Sequence, residues 1–143
     1  MQGSPSCGRQ PLAAAGLLLA LATIAGAVGA HVLSPHWSAV RMHVYTVAVR
    51  YQFYHSLGLL ALGLLLRSDG PRAAGSQRPG LERSSLRLLR VAAWLIFAGI
   101  VLFSGSLYAL TFGAPRWVGM VTPTGGAALI GGWLVFAYGI WHG

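Results

Sequence analysis

The chain has 143 residues, 55% of them hydrophobic and 8% charged, with a formal net charge of +8. Soluble domains carry about 25% charged residues, so the composition excludes an ordinary water-soluble fold. It also excludes a nucleic-acid binder, which needs its basic face on a soluble body.

All ten cations are arginines, and with the two acids they leave residues 12–33, 51–66, 91–112 and 117–140 without formal charge. A helix needs about 20 apolar residues to cross hydrocarbon. Three of these runs reach that length and the second falls just short. The expected fold is all-α and polytopic, a four-transmembrane-helix bundle forming a single integral membrane domain over residues 1–143.

Helix one is expected at about 12–33. Pro11 stands in its first turn, where a missing N–H costs nothing, and Ser34-Pro35 ends it. Arg9, the apolar run and the small residues Ala25-Gly26-Ala27 also have the form of a secretory signal peptide. The run continues through His31 to Leu33, which is span length, so retention is expected. Cys7 is the single cysteine and has no partner in the chain, which excludes an intrachain disulfide.

Helix two is expected to span the membrane at about 45–66, with Ser34 as N-cap and Pro35 permitting an earlier start. From 35 to 66 it would run about 48 Å against a hydrocarbon core of about 30 Å. Its first half, with His36, Trp37, Arg41, His43 and Tyr45, is therefore expected in the interface, Trp37 and Tyr45 joining an aromatic belt. Arg41, Gln52 and His55 fall on one stripe, because separations of eleven and fourteen return to nearly the same face. Intramembrane polar and ionisable groups are functional candidates by default. The simpler reading has Gln52 and His55 bonding to neighbouring helices. The sharper one has His31 and His55 holding haem or a metal, against which their different depths argue.

Residues 67–90 hold six of the ten arginines together with Gly70, Pro71, Gly75, Pro79 and Gly80. They read as a cytoplasmic loop under the positive-inside rule. Both termini then lie inside, with seven arginines inside against Arg41, Arg50 and Arg116 outside. Anionic lipid headgroups are the expected partners of the loop, at about 1 kcal/mol per nearby basic residue. Leu86, Leu88 and Leu89 indicate that the third helix starts before it enters the membrane.

Helix three is expected at about 91–112, stopped by Gly113-Ala114-Pro115, and helix four at about 123–140, after Thr122-Pro123. Association in lipid relies on close backbone approach at small residues. Gly26 and Gly29 on helix one, Gly99 and Gly105 on helix three, and Gly125, Gly126 and Gly132 on helix four are the expected packing positions. Ala127 with Gly131 and Ala128 with Gly132 supply small-xxx-small spacing.

The only acids, Asp69 and Glu82, lie in the arginine-rich stretch, so no carboxylate base reaches the membrane interior. Ser104 and Ser106 have no base assigned beside them and are expected to bond to backbone or a neighbouring helix. No catalytic residue, metal site or cofactor is expected.

Four blocks carry a resemblance: Gly26-Ala27-Val28-Gly29-Ala30-His31, Tyr51-Gln52-Phe53-Tyr54-His55-Ser56-Leu57, Leu102-Phe103-Ser104-Gly105-Ser106-Leu107-Tyr108, and Thr122-Pro123-Thr124-Gly125-Gly126 followed by Gly132-Trp133. In this order and spacing the chain resembles the bacterial membrane family called domain of unknown function 423, and more distantly transmembrane protein 256 of eukaryotes. The resemblance covers about residues 12–140; the long stretch 67–90 looks like an insertion. It implies a small four-helix membrane protein and brings no catalytic residues. It places His31, Gln52, His55, Ser104, Ser106, Tyr108, Thr122 and Thr124 at family motif positions. They form a candidate polar cluster or ligand site, with His31, Tyr108 and Thr122 meeting near the outer leaflet.

The expected role is non-enzymatic: a binding, assembly or accessory component in the bilayer, as a monomer, a homo-oligomer or part of a membrane complex. The alternatives are a small transporter or channel subunit using the intramembrane His55, and a haem- or quinone-binding subunit. A bacterial inner membrane is the expected location, since an arginine-only cation set indicates a GC-rich genome; a mitochondrial membrane is the other.

Overall fold

In the computed structural model, which describes residues 9–68 and 83–142, the chain forms four long helices in up-down-up-down order. They are α1 (Arg9–Val28), α2 (Ala39–Ser68), α3 (Arg83–Thr111) and α4 (Val121–Trp141). Three stretches are long and apolar enough to cross a membrane: Arg9–Leu33, Arg83–Thr111 and Arg116–Trp141. The remaining helix, α2, has 30 residues but carries Arg41, His43, Arg50, Gln52 and His55 between its start and its middle turns. The outer surface is apolar, as a bilayer requires: Leu17 on α1 is 67% exposed and Leu134 on α4 66%.

The helix ends differ instructively from expectation. The last turn of the first span, Gly29–Leu33, is a π-helix, closed by Ser34 N–H donating to the Gly29 carbonyl at 3.0 Å. Ser34 does not cap α2; its hydroxyl turns back to the Ala30 carbonyl at 2.9 Å. Ser38 takes the capping role, its Oγ accepting from Arg41 N–H at 3.4 Å.

At the end of α3, Gly113 has φ +95°, a left-handed conformation that glycine adopts without a Cβ penalty. Ala114 N–H then reaches the Ala109 carbonyl at 2.9 Å and Gly113 N–H the Leu110 carbonyl at 3.2 Å, the paired bonds of a Schellman stop. A 3₁₀ turn, Arg116–Met120, leads into α4. Because α4 starts at Val121, Thr122 lies inside the helix and is not its cap, which leaves its hydroxyl for another partner.

Each helix packs chiefly on its neighbours in the chain. The α3–α4 seam keeps one antiparallel register: Gly139 faces Leu88, Gly132 faces Ile96, Leu129 faces Gly99 and Gly125 faces Phe103. The α4 glycines on this seam recur every seven residues, which holds one face toward its partner. Gly131, expected in a small-xxx-small pair, faces open space. On the α1–α2 seam, Gly63 admits Leu12 and Gly29 admits the Tyr45 ring. Gly58 lets the Trp133 indole of α4 lie against α2.

Leu59, Leu62 and Leu66 of α2 pack with Leu89, Ala92 and Ile96 of α3 in a closed core at the end where Arg9, Arg67 and Arg83 lie. The opposite half of the bundle is looser. Residues 69–82 lie outside the described residues. Of the arginine-rich stretch, Arg67, Arg83, Arg87 and Arg90 are seen on helices, all exposed.

Candidate functional site

In the looser half, α1 and α3 stand apart and α2 forms the floor between them. The result is a groove of about 470 Å³ that opens sideways toward the bilayer. Its walls are apolar, with Leu21 and Ile24 on α1 and Ile100 and Val101 on α3; its floor is polar. The walls follow from helix periodicity, because residues spaced three and four apart share a face.

A hydrogen-bonded relay crosses the floor. Tyr108 Oη donates to Gln52 Oε1 at 2.9 Å, and Gln52 Nε2 donates to the Leu18 carbonyl at 2.9 Å. One side chain on α2 thereby ties α3 to α1. Gln52 is 6% exposed, and in so dry a place the bonds offset the cost of burying an amide. Ser56 Oγ donates in turn to the Gln52 backbone carbonyl at 2.6 Å.

Ser104 also lines the groove, one helical turn below Tyr108. It is 2% exposed, and its hydroxyl has no hydrogen-bond partner among the described residues. The expectation that it would bond to backbone or a neighbouring helix does not describe it. Ser106, facing the other way, meets that expectation: it donates to the Phe103 carbonyl at 2.9 Å and lies 2.7 Å from Thr122 Oγ1. A hydroxyl has one proton to give, so with Ser106 donating to Phe103, Thr122 is the donor of this α3–α4 bond.

Aromatic rings close the groove at the end remote from the core. Tyr45 contacts Trp37, Tyr108 and Phe112 edge-to-face, with ring centroids at 5.7, 5.4 and 6.4 Å. Tyr45 is not the interfacial belt residue expected from the sequence. It is 4% exposed, its ring fills the notch left by Gly29, and its hydroxyl donates to the Ala25 carbonyl at 2.8 Å. Arg41 lies with its guanidinium 4.0 Å from the Trp37 ring centroid, and its Nε donates to the Thr111 carbonyl at 2.6 Å. That carbonyl is one of the orphan acceptors at the C-terminus of α3, where a cation also meets the negative end of the helix dipole.

The remaining candidates stand apart. His31, on the π turn, is exposed and makes no hydrogen bond to Tyr108 among the described residues. Thr124 is exposed and its hydroxyl only approaches the Met120 carbonyl, at 3.5 Å. His55 is half-buried, with Nδ1 2.8 Å from the Tyr51 carbonyl and the ring between those of Tyr51 and Trp133. A carbonyl only accepts, so Nδ1 carries the proton. The α1–α2 register, with Leu12 against Gly63 and Gly29 against Tyr45, sets His31 level with about Val44, so His31 and His55 stand about 16 Å apart along the bundle axis. One iron cannot be held by both.

Among the expected packing glycines, Gly29, Gly125 and Gly132 sit in close contacts, whereas Gly26 and Gly126 have a neighbour only at 3.7 Å. Gly105 packs against nothing within 4 Å; it lines the groove instead. Gly58, Gly63 and Gly139 are tight positions that sequence reasoning did not single out, and Gly99, expected as a packing position on helix three, is tight against Leu129. The seven-residue spacing of Gly125, Gly132 and Gly139 was the available signal for Gly139.

A family model described as "Protein of unknown function (DUF423)" matches residues 25–126. The chain is 40% identical over 128 residues to the UPF0382 membrane protein SSP2132 of Staphylococcus saprophyticus, covering 90% of this chain and 92% of that one. It is 38% identical over 115 residues to the UPF0382 membrane protein YwdK of Bacillus subtilis, covering 80% and 82%. It is 34% identical over 120 residues to the UPF0382 inner membrane protein YgdD of Escherichia coli, covering 80% and 76%. No solved structure matches the chain.

Proposed function

The chain belongs to the DUF423 family, and from that footing we propose that it is a non-enzymatic binding component whose ligand enters the α1–α3 groove sideways from the bilayer. The observation that carries this reading is the combination of apolar walls with the Gln52–Tyr108 floor and the unpartnered Ser104 hydroxyl. Ligand sites are typically apolar concavities with a few placed polar groups. Binding is favoured over transport because His55, the group a proton-coupled carrier would use, is tied to its own helix and lies outside the groove.

The membrane is a bacterial inner membrane in this reading, supported by the name of the Escherichia coli relative. Both termini face the cytoplasm. Arg9, Arg67, Arg83, Arg87 and Arg90 gather at the end where α1 begins and α4 finishes, which supports that orientation and contact with anionic headgroups. Labelling of Cys7 by a membrane-impermeant maleimide in intact spheroplasts would overturn the orientation.

The binding reading is tested by native mass spectrometry of the protein released from nanodiscs, which also reads the oligomeric state. Gly105→Phe projects a ring into the groove from a position where a Cβ meets nothing within 4 Å, and a thermal melt checks that the variant is folded. The wild type should carry a bound lipid-sized mass that the variant lacks. Equal masses on both, or none on the wild type, would refute the reading.

A further inference from the structure

Resting on that reading of the groove, we propose that its ligand is an isoprenoid quinone, with one ring carbonyl accepting a hydrogen bond from Ser104 Oγ and the prenyl chain lying between α1 and α3.

The Ser104 hydroxyl is the starting point. Serine and threonine in apolar helices ordinarily turn their hydroxyls to the carbonyl one turn earlier. Thr23, Thr46 and Ser56 do so here, at 2.9, 2.8 and 2.6 Å. Ser104 is as buried as any polar side chain of the groove yet makes no such bond. A buried hydroxyl without a partner costs free energy, and an acceptor arriving from the groove would recover it.

Depth then selects among acceptors. Ser104 lies seven residues before the end of α3, about 10 Å below the level where Arg41 and Trp37 meet the Thr111 carbonyl. Phospholipid esters and phosphates stay at that interfacial level. A quinone ring is neutral and sinks into hydrocarbon.

Charge points the same way. None of the residues lining the groove is an arginine, histidine or acid, so a carboxylate or phosphate head finds no counter-ion. What the groove offers instead suits a flat uncharged ring: the edges of Tyr45, Tyr108 and Phe112 at one end, and Ser104 in its lining, whose hydroxyl is covered in the empty groove and meets the ring carbonyl by a turn about χ1. The walls continue along Leu21, Ile24 and Val101, exposed by 57%, 60% and 50%, so a long chain runs out into the bilayer. The volume of about 470 Å³ falls within the range of about 300–1,000 Å³ usual for small-molecule sites and takes a ring with its first prenyl units.

The test uses the full chain in nanodiscs with menaquinone-4, and squalene as a prenyl chain lacking a carbonyl, both read by native mass spectrometry. Menaquinone-4 should bind the wild type, bind S104A roughly three- to tenfold more weakly, the share of one hydrogen bond, and not bind Gly105→Phe. Squalene should bind the wild type and S104A equally. S104A changes little volume, and a thermal melt checks that it is folded. Unchanged menaquinone-4 affinity in S104A would overturn the assignment of the carbonyl to Ser104. A phospholipid that occupies the groove and resists menaquinone-4 would overturn the quinone while leaving the groove a binding site. Absence of any bound mass would overturn both.

Discussion

Adding one methyl group at different glycines should have opposite effects, and the α3–α4 seam sets the sign. At Gly125 a Cβ would run into the Phe103 backbone nitrogen, with Phe103 Cα at 2.8 Å. Backbone cannot rotate away as a side chain can, so the seam must part. Overpacking costs about 1–3 kcal/mol, with backbone contacts at the upper end, while alanine regains about 1 kcal/mol of helix propensity over glycine. Gly125→Ala should therefore lose about 1–2 kcal/mol. At Gly132 the nearest atom is Ile96 Cγ1 at 2.7 Å, the branch of a side chain, and the loss should be smaller. At Gly105 nothing lies within 4 Å, so only the propensity gain of up to about 1 kcal/mol remains and the variant should be more stable. Reversible unfolding in mixed micelles, followed by helical circular dichroism, measures all three. The order of stability should be Gly105→Ala, wild type, Gly132→Ala, Gly125→Ala. Equal stability of the Gly105 and Gly125 variants would refute the claim that the seam is set by backbone approach.

Three further outcomes follow from side-chain contacts. In a double-mutant cycle of Gln52→Leu and Tyr108→Phe, the coupling energy should fall near the roughly 0.6–1.7 kcal/mol measured for hydrogen bonds between membrane helices; additive effects would mean that the 2.9 Å bond contributes nothing. Arg41→Met should destabilise by about 1–2 kcal/mol by leaving the Thr111 carbonyl uncapped and the Trp37 ring unstacked, and Arg41→Lys should rescue little because the bond comes from the guanidinium Nε. The same unfolding assay checks both arginine variants. Without ligand, S104A should be more stable than the wild type by about 1 kcal/mol, since it removes a buried hydroxyl that has no partner; a loss on thermal melting of delipidated protein would show that the hydroxyl is satisfied.

Three of the helices were legible because a bilayer demands long uncharged runs, and such runs leave little ambiguity in a sequence; of α2 only the uncharged half, 51–66, was legible in this way, since Arg41 and Arg50 interrupt the rest. Helix ends were less so. The Gly113 stop was readable from a glycine followed by a proline, but the cap of α2 was not: the π turn at 29–33 draws Ser34 into the end of the first span, and Ser38, not singled out in the sequence, takes its place. Of the stripe Arg41, Gln52 and His55, periodicity gave a common side of α2 but not the partners. Those depend on where Leu18 and Tyr108 arrive from other helices, with Gln52 meeting both while His55 turns toward Trp133. The groove was not legible at all. It exists because α1 and α3 fail to meet, and a gap between helices has no signature in either one. The orphan status of Ser104 is hidden for the same reason: nothing in Leu-Phe-Ser-Gly-Ser distinguishes its hydroxyl from that of Ser106.

The fixed register between α3 and α4 also divides mobility unevenly across the molecule. With Gly99, Gly125, Gly132 and Gly139 each seated on one partner, α4 has no second position on α3 to slide to, and the two move as one body. The first helix packs chiefly on α2 and ends in a π turn, the local loosening from which helices bend. With its start held in the core by Leu12 and Ala15, α1 widens the groove only through its second half, next to the π turn at 29–33. The exchange rate of whatever occupies it should follow substitutions at Gly29 and Tyr45, which tie that half of α1 to α2, and be indifferent to the seam on the far side.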